Sequence, residues 1–195
     1  MATLLYIHGF LSSPESFKAQ KLKQWLQQNR PDISYVCPFL RPYPLEAAHT
    51  LEQVVEESGD QALYLVGSSF GGFWATWFGE KYNLPAIVIN PATEPHMLEP
   101  DYLNIPLNNY HLDETYELTE QHLQQLISFD TPKIKHKENY WLFVQTGDET
   151  LDYRLAVKKY AGCKQTVEEG GDHAFQGVER WLPKMVGFLE NRSCR

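Results

Sequence analysis

Short apolar runs alternate along this chain with stretches of helical period. Six runs read as strands: Thr3–Ile7, Ile33–Cys37, Ala62–Val66, Ala86–Asn90, Trp141–Gln145 and Gln165–Glu168. Several are almost continuously apolar, as parallel strands covered on both faces must be. After the first run, Ser13-Pro14-Glu15 reads as an N-cap followed by Pro at the first helical position, and Phe17, Leu22, Trp25 and Leu26 supply an apolar stripe. Leu51, Val54 and Val55 mark a second helix. Phe70, Phe73, Trp74, Trp77 and Phe78 recur at i, i+3, i+4, i+7 and i+8, the clearest helix of the chain, and such a stripe is first of all a buried face. Val178, Trp181, Leu182, Met185, Val186 and Leu189 form the last helix, where Pro183 predicts a kink or a restart. Strands alternating with helices predict an α/β fold, a parallel sheet of about six strands with right-handed crossovers and helices on its faces.

One segment breaks this rhythm. Between residues 91 and 139 five prolines occur and no convincing strand, and a helical piece is expected over Tyr116–Ile127 from Tyr116, Leu123, Leu126 and Ile127. An insertion of this length inside a compact domain is usually functional. It is expected to form a cap over the active site, the alternative being a decorated crossover that touches no substrate. No repeat, low-complexity tract or linker divides the chain, so residues 1–195 are expected to form one domain.

Composition narrows the partners. Lys+Arg 17 against Asp+Glu 25 gives a net charge of −8 without long single-sign blocks, which argues against nucleic acid or an anionic membrane surface as the main partner. No basic stretch followed by an apolar core marks a secretory signal, and no apolar run approaches the ~20 residues that span a bilayer. Cys37, Cys163 and Cys194 are odd in number and widely separated, with no Cys-x-x-Cys spacing. Neither a disulfide scaffold nor a thiolate metal site is expected, and the histidines of the insertion lack metal-ligand spacing. The expected location is the cytoplasm.

The candidate chemistry begins at Gly67-Ser68-Ser69-Phe70-Gly71, between the third strand and the aromatic helix. Gly-x-Ser-x-Gly in that context is a nucleophile elbow, a strained turn that lifts the Ser69 hydroxyl above the sheet edge. A serine hydroxyl needs a base. Of His8, His49, His96, His111, His122, His136 and His173, only His173 follows the last strand, in Gly170-Gly171-Asp172-His173, as the chain order Ser…Asp/Glu…His requires. The orienting acid should end the preceding strand, where Gly147-Asp148-Glu149 stands; Asp148 is the choice, with Glu149 and Asp152 as competitors. The first strand ends in His8-Gly9-Phe10-Leu11, so the oxyanion donors are expected to be the backbone N–H groups of Phe10 (or Leu11) and Phe70, with His8 pinning its loop. Arg41 could meet an anionic group on a substrate but reads first as a loop salt bridge.

With these landmarks in order, the chain resembles the α/β-hydrolase superfamily. It is similar in particular to the small bacterial YqiA-type esterases, through Leu5-Tyr6-Ile7-His8-Gly9-Phe10, Gly67-Ser68-Ser69-Phe70-Gly71-Gly72, Gln145-Thr146-Gly147-Asp148-Glu149 and Gly171-Asp172-His173. The resemblance implies a cofactor-free serine esterase with Ser69, Asp148 and His173 as its triad, acting on small carboxylic esters or acyl-CoA thioesters. The chain departs from the wider superfamily in one respect: the two strands that usually precede the His-Gly strand are absent, so a reduced form of the fold with about six parallel strands is expected. A non-hydrolytic lyase and a catalytically silent binding protein on the same fold are the alternatives.

Overall fold

The computed structural model describes residues 2–94, 102–109 and 114–193. Strands β1 (Ala2–Ile7), β2 (Ile33–Val36), β3 (Ala62–Ser68) and β4 (Ala86–Ile89) alternate with helices α1 (Phe17–Asn29), α2 (Pro44–Ser58) and α3 (Phe70–Tyr82). Within the insertion lie β5 (Pro106–Asn108), β6 (Thr115–Glu117) and α4 (Glu120–Ser128). Then follow β7 (Tyr140–Gln145), α5 (Tyr153–Lys159), β8 (Lys164–Glu168) and α6 (Leu182–Ser193). Six strands pair in the order β2-β1-β3-β4-β7-β8, all parallel. The expected parallel sheet and its six strands are therefore present, each within two residues of its expected bounds.

Period-two alternation along the strands divides the core between the two faces of the sheet. Leu5, Ile7 and Leu65 pack with Leu51, Phe73, Trp74, Phe78 and Ala156 on the face that carries α2, α3 and α5. Leu4, Tyr6 and Val66 pack with Leu22, Leu26, Met185, Val186 and Leu189 on the face of α1 and α6. The aromatic stripe of α3 is a buried face as expected, with Phe73, Trp74 and Phe78 at most 2 % exposed. A 3-10 turn over Val178–Trp181 precedes α6, and Pro183 falls at its second residue, so the restart is what forms. There its missing N–H costs no hydrogen bond.

Three local expectations need correction. Helix α1 starts at Phe17, three residues beyond the expected first turn. The Ser13 hydroxyl accepts the Glu15 N–H at 3.1 Å and its carbonyl the Ser16 N–H, so Ser13 and Pro14 build a turn in front of the helix. Phe17 is exposed and takes no part in the buried stripe, which Ala19, Leu22 and Leu26 form. In the insertion, Tyr116 lies on β6, paired antiparallel with β5 through Leu107↔Tyr116. The helix begins only after Thr119, whose N–H is accepted by His122 Nδ1 at 3.0 Å, the place a capping box gives to Glu or Gln. Helix α5 had no expected counterpart. His96, His111 and Cys194 lie outside the described residues. Among the described residues no helix is long and apolar enough to cross a membrane.

Candidate active site

The turn after β3 explains why the motif carries glycines. Ser69 adopts φ 56°, ψ −123°, a strained conformation for a side-chain-bearing residue. It is held there by its own N–H on Ile89 O at 3.0 Å and by its carbonyl accepting from Gly72 and Ala92. A Cβ on Gly71 would stand 1.9 Å from Ile7 O, and one on Gly67 would stand 2.2 Å from Gly71 O. Only residues without side chains let α3 start this close to β1 and β3, and that approach aims the hydroxyl out of the sheet edge.

Three residues far apart in sequence meet at this edge. His173 Nε2 lies 3.0 Å from Ser69 Oγ, and His173 Nδ1 lies 2.9 Å from both carboxylate oxygens of Asp148. The Asp148 side chain is 2 % exposed, and its Oδ1 also accepts the N–H groups of Thr150 and Leu151 at 2.9 Å. Burial pushes the Asp148 carboxyl up, but the hydrogen bonds from His173, Leu151 and Thr150 outweigh it and hold the group below the usual carboxylate range. The competing acids have other partners. Glu149 accepts the backbone N–H of His173 at 3.0 Å, and Asp152 caps α5 and pairs with Arg154.

A cavity of about 430 Å³ opens over Ser69. Phe10, Leu11, Phe70 and Tyr102 give it an apolar, aromatic side, with Phe10 5.6 Å from Phe70 and 5.8 Å from Tyr102 between ring centroids. Phe70 is the first residue of α3, where a helix leaves its N–H groups without intrahelical acceptors. His8 is buried; its Nε2 accepts the Leu40 N–H at 3.0 Å, and its Nδ1 lies 2.9 Å from Gly9 O, so the ring ties the Phe10 loop to the segment after β2. Arg41 approaches Glu46 and Glu114, 3.9 Å each, and does not line this cavity.

Lys18 was not legible as a site residue. It lines the cavity from the first turn of α1 and donates from Nζ to Ala174 O at 2.9 Å. Burial pushes its amine down to about 8, against the pull of Asp172 and Asp148. Nothing in its neighbours along the chain marks it; only the fold brings α1 to the loop after β8.

This sheet order, with a serine on the β3–α3 turn and a histidine after the last strand, defines an α/β-hydrolase fold. Solved structures agree. Est1E from Butyrivibrio proteoclasticus superposes over 100 % of this chain and 89 % of its own, with TM-score 0.73 and 14 % identity. The alpha/beta hydrolase domain-containing protein 10 from mouse superposes over 97 % and 90 %, with TM-score 0.76 and 12 % identity. Within that class the chain belongs to UPF0227, described as an uncharacterised protein family, whose pattern matches residues 3–190. A UPF0227 protein of Shewanella sp. strain MR-7 is 23 % identical over 192 residues, 95 % of this chain and 98 % of that protein. The resemblance read from the motifs, YqiA-type within the α/β-hydrolases, holds at the level of family and fold.

Proposed function

We propose that this chain is a serine esterase that hydrolyses small carboxylic esters through an acyl-enzyme on Ser69. The observation that carries the reading is the unbroken hydrogen-bond relay from Ser69 Oγ through the His173 imidazole to the buried Asp148 carboxylate, at the floor of an aromatic cavity. Ser69 Oγ attacks the ester carbonyl carbon while its proton passes to His173 Nε2. Asp148, ionised because its pKa is depressed, stabilises the imidazolium and fixes the tautomer. The tetrahedral oxyanion accepts from the N–H groups of Phe10 and Phe70, each worth about 3–4 kcal/mol of the barrier. The bond to the leaving alcohol then breaks as His173 returns the proton to it. Water, deprotonated by the same imidazole, attacks the acyl-enzyme and releases the acid.

Every step uses groups of this chain, so the reaction needs no cofactor. The 91–139 insertion serves as a cap within a single 1–195 domain. Ala92 and Tyr102 wall the cavity, and the β5–β6 hairpin packs through Leu107 and Tyr116 on Leu11, beside the proposed oxyanion loop. The cytoplasm is the setting that the cysteine usage favours. Turnover of a chain-length series of p-nitrophenyl esters beside the matching CoA thioesters tests the reading and reports the leaving-group class. Hydrolysis is expected in the wild type and absent in Ser69→Ala. Turnover that survives Ser69→Ala defeats the assignment.

A further inference from the structure

His173 stands on an irregular loop that cannot satisfy its own backbone. Gly170, Gly171, Phe175 and Gly177 all have φ between 59° and 74°, so the loop forms no continuous ladder or helix; Gly170 O accepts the Gly147 N–H and Asp172 O the Phe175 N–H, and other groups around His173 are left for side chains to pair. Buried N–H and C=O groups must nevertheless find partners. Two amide side chains from strand ends supply them. Asn90 follows β4 and Gln145 ends β7; they are 2 % and 3 % exposed. Asn90 Nδ2 donates to Asp172 O at 3.0 Å and to His173 O at 3.1 Å, and its Oδ1 accepts the Gln145 N–H at 3.1 Å. Gln145 Oε1 accepts the N–H groups of Asp172 at 3.2 Å and Gln176 at 2.8 Å. Its Nε2 donates to Gln176 O at 3.0 Å and to Glu168 at 2.9 Å.

An amide oxygen has two lone pairs and an amide nitrogen two protons. Gln145 uses all four and Asn90 uses three. A carboxylate of the same shape can only accept, and a hydrocarbon can do neither. The network is thus specific for amides, and fully paired buried networks rigidify what they hold. The backbone gives way to accommodate it: Asn90 sits at φ 40°, in the left-handed region, and a Cβ on Gly171 would stand 2.0 Å from Gln145 Oε1. The glycine before Asp172-His173 therefore makes room for Gln145. We infer that Asn90 and Gln145 are positioning residues that act through His173, clamping the loop so that its imidazole stays within reach of both Ser69 and Asp148. This inference rests on the esterase reading for its catalytic consequence, but the clamp itself is a property of the free protein.

The test uses Asn90→Gly, which keeps the left-handed backbone and deletes Asn90's half of the clamp, and Gln145→Glu, which keeps the shape, replaces the donating amide nitrogen by an acceptor and sets a second carboxylate against Glu168. Three readouts apply to each: steady-state kinetics on a p-nitrophenyl ester, the strongly downfield Nδ1 proton of His173 by NMR, and near-UV circular dichroism. The expected result is a native dichroism spectrum with kcat lowered about 10–100-fold at nearly constant KM, the scale of an ångström-sized misplacement, and a downfield proton broadened by exchange with water. A folded variant that keeps wild-type kcat and a sharp downfield proton overturns the inference. Should Asn90→Gly fail to fold, Gln145→Glu decides by the same readouts. If the wild type turns over no ester, the esterase reading falls, and the proton signal alone decides the clamp: lost in the variants it stands, kept it falls.

Discussion

The hydroxyl of Ser69 and the imidazole of His173 lie 3.0 Å apart, yet the two are held by different means. The Ser69 turn depends first on what its neighbours lack: glycines let α3 start against β1, and only then can backbone bonds to Ile89, Gly72 and Ala92 hold the strained conformation. His173 is fixed by what distant residues carry: Asn90 on its carbonyl, Glu149 on its N–H, and Asp148 on its ring. Steric exclusion is encoded within five consecutive residues. Hydrogen bonding to a loop draws on residues from two other strand ends, those of β4 and β7, and is written nowhere locally. The elbow should therefore fail by unfolding, and the histidine loop by losing activity while staying folded.

The largest expected effect lies on the histidine side. Asp148→Asn should fold and lose about 10⁴-fold in kcat, because an amide favours the wrong imidazole tautomer; steady-state kinetics with a melting curve checks both halves. On the elbow side, Gly71→Ala forces a methyl group against Ile7 O and should cost about 3 kcal/mol of folding stability, the upper end of the usual overpacking range, read from the urea midpoint. A Gly71→Ala protein of wild-type stability would break the contrast.

Smaller effects sharpen it. The folded-state pKa of Asp148 is depressed, so its stabilisation is complete above the ordinary carboxylate pKa of about 4 and is lost as pH falls through the lower folded value. Between about pH 5 and pH 2 the wild type should lose more stability than Asp148→Asn does, as urea titrations at each pH would report. Glu149→Gln retains an acceptor for the His173 N–H and should lower kcat by less than about tenfold. Arg41→Gln, whose ion pairs are long and exposed, should shift stability by less than about 0.5 kcal/mol and leave ester hydrolysis unchanged.

The same distinction explains what the sequence made legible. Strands buried on both faces declare themselves by apolar runs, and the α3 stripe by its period, because burial acts on every residue of the element. The elbow is readable because its sterics are local. The order of Ser69, Asp148 and His173 could be read because the sheet topology fixes which strand ends meet. Three-residue strands such as β5 and β6 hold too few residues to show a period, so Tyr116 read as helix. Its packing on Tyr43 and the Phe10–Leu11 loop is a tertiary event. Asn90 and Gln145 read as the ends of strands, and Lys18 carried no signal at all, since each acquires its partners only when the loop after β8 folds against the sheet edge.

The account turns on Ser69 being acylated with help from His173. Incubation with a fluorophosphonate followed by mass spectrometry of the intact protein and its peptides tests this directly. The prediction is a single adduct on Ser69, formed quickly in the wild type, slowly in His173→Ala and not at all in Ser69→Ala. An adduct on another residue, or equal labelling with and without the imidazole, would contradict it.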